Sequence, residues 1–274
     1  MSAAPGPIEP TATPTISGLY AEAFAPAGTP KGVVVISHGY AEHCGRYREV
    51  AHVIVNAGFA ALSYDVRGHG QTAASSRQFS VADLSQDLHT LLDALGVQKT
   101  HIVGMSMGGM IAQQFALDNP ARIETLTLAD THAASPSDGR AVWEQRAAKA
   151  RSEGVAALAQ ATMERWLTAG FRDAHPEVVE QIREVFENTS SEGYAQACFA
   201  LRDFDVRSRL TEIALPTLVV AGRHDAGTPP AATQEIANAI RDAQFELLDA
   251  AHLAPIEQSQ RFTALLESFL QERV

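Results

Sequence analysis

The feature that most constrains this chain is an alternation. Short runs of β-branched and apolar residues, each closed by turn residues, are separated by stretches of helical periodicity. The runs are VVVISH at 33–38, AALSYD at 60–65, HIVGM at 101–105, ETLTLAD at 124–130, TLVVAG at 217–222 and FELLD at 245–249. Strands that are apolar along their whole length suit a sheet covered on both faces. Helical patterns occupy 47–57, 81–95, 107–119, 230–240 and 255–272. Strand followed repeatedly by helix predicts an α/β chain with a mostly parallel, doubly wound sheet. Further strands are expected within residues 13–25. At 274 residues, 46% of them hydrophobic, the chain can bury one sizeable core.

The alternation fails once. Between 131 and 215 no run reads as a strand, and GRAVWEQRAAKARSEG, VAALAQATMERWL, PEVVEQIREVF and EGYAQACFALRDF read as four helices separated by Gly, Pro or polar breaks. An insertion after the sixth strand would lie over the carboxyl edge of the sheet, where open α/β sheets hold their ligands. The expected division is a loose Pro- and Thr-rich arm at 1–14, a core from 15–132 and 211–274, and a helical cap at 133–210. The cap aromatics Trp143, Trp166, Phe171, Tyr194 and Phe199 suggest an apolar lid, with Trp143 and Trp166 as candidate substrate contacts.

Charge and cysteine content exclude several classes. With 21 basic against 32 acidic residues the net charge is −11, the wrong sign for a nucleic-acid surface. Cys44 and Cys198 are too few for a disulfide framework and belong to no Cys/His ligand cluster. No run of 18 apolar residues occurs, and the opening lacks the basic start and apolar run of a signal peptide. A soluble cytoplasmic protein is expected. There is no HExxH, no GxxxxGK[ST] and no GxGxxG after the first strand, so neither metal nor cofactor is implied.

The chemistry points to residues 104–108, G-M-S-M-G. A serine on a tight strand-to-helix turn takes a strained backbone, and small neighbours let the turn close while the hydroxyl projects above the sheet. The pattern alone would occur in roughly one random chain in ten. Here a strand ends at Met105 and a helix begins at Met107, which is the arrangement the motif needs. A serine hydroxyl requires a base and the base an orienting acid, and in a fold that carries the serine on such a strand-to-helix elbow the expected chain order is Ser, acid, His. Of ten histidines, only His252 follows the last strand, and Asp225 lies between that strand and the one before it. Asp130, directly after ETLTLAD, is the rival acid, whereas Asp65 reads as structural, bracing its loop through Arg67. Two backbone N–H groups should face the developing oxyanion: Met107, after the serine, and Tyr40, after the first long strand, with Gly39 beside the substrate.

With these residues in place the chain resembles the α/β-hydrolase superfamily over almost its whole length. From about Gly70 onward, GMSMGGMIAQQFALDNPARIETLTLADTHAA, EGYAQACFALRDFD, PTLVVAGRHDAGTPP and LLDAAHLAPIEQ look like 3-oxoadipate enol-lactonases, enzymes that open a small carboxylated lactone in aromatic catabolism. The earlier SHGYAEHCGRYREVAHVIVNAGFAALSYDVRGHGQT looks instead like the monoacylglycerol lipase and lysophospholipase group. Its oxyanion-loop pattern HGxxEHxxRY is matched by His38, Gly39, Glu42, His43, Arg46 and Tyr47. The resemblance implies a cofactor-free serine hydrolase acting on a small or medium ester or lactone. Alternatives on the same fold are a lipase or general carboxylesterase, a perhydrolase using the same residues with peroxide, and a non-catalytic ligand receptor. A dianionic lactone acid would need a basic partner, for which the cap offers Arg140, Arg146 and Arg165.

Overall fold

A computed structural model describes residues 9–136 and 139–273. Along the chain run β1 (Thr15–Ile16), β2 (Leu19–Phe24), β3 (Val33–Ser37), α1 (Arg48–Asn56), β4 (Ala60–Tyr64), α2 (Val81–Ala94), β5 (Thr100–Met105), α3 (Met107–Asp118) and β6 (Ile123–Ala129). Next come α4 (Gly139–Glu153), α5 (Ala159–Trp166), α6 (Ala169–Ala174), α7 (Pro176–Glu187) and α8 (Ser191–Arg202). The chain then returns through β7 (Thr217–Gly222), α9 (Pro230–Ala239), β8 (Gln244–Leu248), α10 (Ala254–Glu257) and α11 (Ser259–Gln271).

The strands form one eight-stranded sheet in the order β1-β2-β4-β3-β5-β6-β7-β8. The first two join antiparallel, and every pairing from β4 to β8 is parallel. Val34, Val35 and Ile36 of β3 and Ile102 and Val103 of β5 are all buried, so the continuous apolar runs do mark strands covered on both faces. Helix α3 is buried nearly all round, which explains why its apolar residues do not keep to one stripe. Connections leave β3 and β5 in opposite lateral directions, opening a crevice at their carboxyl ends.

Differences from the sequence expectation are local. Residues 1–8 of the expected arm lie outside the described residues, but Thr11 and Ala12 are tied to β2: Thr11 N–H donates to the Ala23 carbonyl (2.8 Å) and Ala23 N–H to that of Ala12 (2.8 Å). Among the described residues the insertion holds five α-helices, not four, because Thr168 caps an extra turn, α6, with its side chain accepting from the Phe171 N–H. The helix expected over 255–272 is interrupted at Gln258, whose φ of −124° and ψ of 42° leave helical space. Among the described residues no helix is long and apolar enough to cross a membrane.

Candidate active site

Ser106 sits between β5 and α3 with φ 52° and ψ −114°, a conformation rare for a residue with a side chain. The surrounding glycines make it attainable by close approach. A Cβ on Gly104 would lie 2.5 Å from the Gly108 carbonyl oxygen, and one on Gly108 would be driven into the Ser37 carbonyl of β3. The turn is pinned further: Ser106 N–H donates to Ala129 O (2.9 Å), while Ser106 O accepts from the Thr131 hydroxyl (2.8 Å) and Gly109 N–H (2.9 Å).

Three sequence-predicted side chains meet here. Ser106 Oγ is 2.9 Å from His252 Nε2, and His252 Nδ1 is 2.8 Å from Asp225 Oδ2. All three are buried. Asp225 Oδ1 accepts the N–H groups of Gly227 (2.7 Å) and Thr228 (2.9 Å), and the Thr228 hydroxyl donates to Oδ2. Burial alone would raise the Asp225 pKa, but His252 and these donors outweigh it and hold the carboxyl below the usual range. Asp225 is therefore anionic, so Nδ1 carries the proton and Nε2 faces Ser106 as an acceptor.

Asp130, the rival acid, serves elsewhere. Its Oδ1 accepts Gly222 N–H at the end of β7 (2.7 Å) and its Oδ2 accepts Ala254 N–H at the start of α10 (3.0 Å), so it ties together the strand ends that carry Asp225 and His252. Burial, and then the nearby Asp225 charge, push its pKa well above the ordinary carboxylate value. Asp65 is structural as expected, through other partners. It accepts from Cys44 N–H (2.8 Å) and Gln71 N–H (2.7 Å), while Arg67 pairs with Asp87.

The loop after β3 is held by residues given no individual role from sequence. His38 Nε2 accepts Val66 N–H (2.9 Å), so the neutral ring carries its proton on Nδ1, which donates to Gly39 O (2.6 Å). Burial keeps that ring neutral by lowering its pKa. Because N–H and C=O of a trans peptide point oppositely, fixing Gly39 O aims the Tyr40 N–H away from His38. Gly39 N–H donates to Glu42 Oε2 (2.9 Å), leaving it unavailable to a ligand, and Tyr47 OH donates to the same oxygen (2.7 Å). Met107 N–H, at the first turn of α3, has no intrahelical acceptor. Cys44 is a free, buried thiol whose pKa burial pushes up, so it is unreactive.

Gly39, Tyr40, Glu42, Met105, Ser106, Trp166, His252 and Leu253 line a narrow cleft beside the serine hydroxyl. Tyr194 and Trp166 stack edgewise or tilted on Tyr40, at 5.4 and 5.7 Å between ring centroids. Trp143 stands one layer out, against Tyr40 at 5.5 Å, and does not line this cavity. Two of the expected lid aromatics are elsewhere: Phe199 is flanked by Arg151 and Arg202, and Phe171 packs on His175. Of the cap arginines, Arg140 pairs with Asp203 and Arg165 reaches, among the described residues, only Thr162 at 3.4 Å. Arg146 lies over the Trp143 ring at 4.8 Å. Glu257 joins cap to core: Oε1 accepts Ala251 N–H (2.7 Å), beside His252, and Oε2 accepts the Thr168 N–H (3.1 Å) and hydroxyl. Among the described residues no group of three or more His, Cys, Asp or Glu side chains is placed to hold a metal ion.

A serine elbow at the crevice of a sheet in this order, roofed by inserted helices, defines an α/β-hydrolase, and the comparisons with known proteins agree that the chain is a hydrolase. It belongs to the hydrolase family described as Serine aminopeptidase, S33, whose sequence profile matches residues 28–254. The chain is 35% identical to 3-oxoadipate enol-lactonase 2 of Acinetobacter baylyi over 210 residues, 77% of this chain and 78% of the relative. The crystal structure of the enol-lactonase from Burkholderia xenovorans superposes with a TM-score of 0.89 at 33% identity, covering 95% of this chain and all 100% of that one. A malate-bound thermophilic esterase from Thermogutta terrifontis matches with a TM-score of 0.87 at 28% identity, over 95% of this chain and 98% of the other.

Proposed function

We propose that the protein cleaves a small or medium carboxylic ester or lactone by two-step acyl transfer, with Ser106 as nucleophile, His252 as base and Asp225 as its orienting acid. The observation that carries this reading is the continuous contact from Ser106 Oγ to His252 (2.9 Å) and on to Asp225 (2.8 Å). His252 takes the hydroxyl proton as Ser106 attacks the carbonyl, and returns it to the leaving oxygen. The Tyr40 and Met107 N–H groups receive the oxyanion, Met107 with the favourable end of the α3 dipole behind it. A water then repeats the attack on the acyl-enzyme.

Resemblance to relatives named enol-lactonases supports a lactone as substrate, and Trp166 and Tyr40, which line the cleft at Ser106, support a compact acyl group. We take residues 133–210 as the cap that selects it. The substrate is a small molecule, and the two free thiols fit a cytoplasmic setting. The oxyanion loop favours one second reading, hydrolysis of linear esters, because His38–Tyr47 keeps the lipase-like pattern.

The test is a hydrolysis profile over p-nitrophenyl esters of increasing chain length and a set of lactones that includes an enol-lactone acid. Lactones and short esters should be preferred, and Ser106→Ala should lose on the order of 10⁶ in turnover. A profile peaking on long chains would remove the lactonase reading. Full activity in Ser106→Ala would remove the mechanism.

A further inference from the structure

The loop that carries His252 is fixed at both ends by the core. Ala250 O accepts the His224 N–H beyond β7 (2.9 Å), and Ala254 N–H donates to Asp130 Oδ2 (3.0 Å). The N–H groups on either side of His252 are met differently. Leu253 N–H donates to the carbonyl of Trp166, the last residue of α5 (3.1 Å), and Ala251 N–H donates to Glu257 Oε1 (2.7 Å). Glu257 spends its other oxygen on Thr168, accepting both the N–H (3.1 Å) and the hydroxyl. Trp166 and Thr168 stand at the joint between α5 and α6, so one corner of the cap reaches the base from both sides.

Ala251 and Leu253 are buried, so water does not replace a lost acceptor at either N–H. Leu253 N–H belongs to the planar peptide that begins at His252, so holding it fixes the backbone immediately after the base. The Trp166 ring lies 6.1 Å from the imidazole at 33°, and stands edgewise on Phe186 at 5.5 Å, which places it from the cap side. His252 has to meet Ser106 at 2.9 Å through Nε2 and Asp225 at 2.8 Å through Nδ1 at the same time. Asp225 secures one edge of the ring and leaves the other free to swing about that contact. Displacing a reacting group by about 1 Å costs on the order of 10² in rate, so the backbone under the base has to be held as closely as the ring.

We propose that Glu257 and Thr168 are positioning residues for the base: the α5–α6 corner, besides bounding the cleft, keeps His252 in line with Ser106. The proposal rests on the acyl-transfer reading given above. A carboxylate is what this place requires, because all three groups that Glu257 meets are donors and each of its oxygens has to accept. A glutamine there would turn its NH₂ toward either Ala251 or Thr168.

The test is steady-state hydrolysis of p-nitrophenyl acetate with urea unfolding alongside, to establish that each variant is folded under assay conditions. Glu257→Gln should lower kcat about tenfold or more and change KM by less than about twofold. Thr168→Val should lower kcat about fivefold, and Thr168→Ser, which keeps the hydroxyl, should restore it to within about twofold. In proton NMR the downfield His252 Nδ1–H resonance should move or broaden in Glu257→Gln, although Asp225 is untouched. Arg151→Gln breaks the pair between Arg151 and Glu192 (2.9 and 2.8 Å), which joins α4 to α8 away from this corner, and should leave kcat unchanged. Parental kcat in both Glu257→Gln and Thr168→Val, a loss confined to KM, or an equal loss in Arg151→Gln would overturn the proposal. Ser106→Ala separates the two readings: if it is inactive while Glu257→Gln and Thr168→Val turn over normally, the positioning role alone fails, whereas full activity in Ser106→Ala removes the mechanism on which it rests.

Discussion

Asp130 and Asp225 both follow strands at the same sheet edge and both are buried, yet exchanging each for asparagine should give opposite outcomes. In Asp225→Asn the amide keeps the volume but replaces an anion that His252 Nδ1–H contacts at 2.8 Å. The neutral amide can present its NH₂ to the ring, which favours the tautomer with the proton on Nε2, where the base should be empty. Loss of that charge and tautomer costs on the order of 10⁴ in kcat. Asp130→Asn acts on another set of contacts. One of its oxygens becomes an NH₂ facing the backbone N–H of Gly222 or Ala254, so one buried hydrogen bond is lost at about 1–3 kcal/mol of stability. Asparagine tolerates the positive φ of 45° at this position nearly as well as aspartate, so the backbone has no reason to move. Its kcat should stay within about tenfold, a barrier change under about 1.4 kcal/mol. The assay is p-nitrophenyl acetate hydrolysis at pH 8 beside urea unfolding of each variant. A folded Asp130→Asn protein that loses as much kcat as Asp225→Asn would refute the separation of roles.

Three more outcomes follow from the geometry. His38→Phe frees the Gly39 carbonyl and strips Val66 N–H of its acceptor, so kcat should fall on the order of 10² with KM little changed, as when one oxyanion donor is lost; an unaltered kcat would show that Tyr40 N–H is placed by something else. Gly108→Ala has to push a methyl into the Ser37 carbonyl, which cannot swing aside, so urea melts should show a loss of about 3 kcal/mol or more. His69 and His132 are buried, with pKa values lowered to about 4 chiefly by desolvation, so the folded state binds fewer protons than the unfolded one between pH 6.5 and 4. The stability they contribute is complete above pH 6.5 and lost as pH falls toward 4, at about 3 kcal/mol each, and urea titrations from pH 7 to 4.5 should record the decline.

What the sequence made legible was whatever is written locally. Each of the six apolar runs became a strand within a residue or two of its expected limits, because continuous β-branched residues leave little other choice. The elbow was readable for the same reason: its glycines answer to contacts within a few residues of Ser106 and to the neighbouring strand. Residues whose partners lie far along the chain stayed hidden. Nothing local told that Arg67 would reach Asp87 in α2, that His38 would accept from Val66, or that Glu257 would bind Thr168 across 89 positions. Helix α6 was missed because six residues are too few to establish a period, although Thr168 at its cap was the available signal. The break at Gln258 carries no Gly or Pro to announce it.

Glu257 places two events under one restraint. Displacing α6 to admit a substrate removes the Thr168 donors from a carboxylate that also holds Ala251, the residue before His252. A substrate that kept α6 displaced would leave the imidazole on a slacker tether, and one small enough for α6 to reseat would draw it taut again. On the proposed mechanism, selection would then act at turnover as well as at entry: an ester too large for α6 to reseat over it would meet a loosely held base.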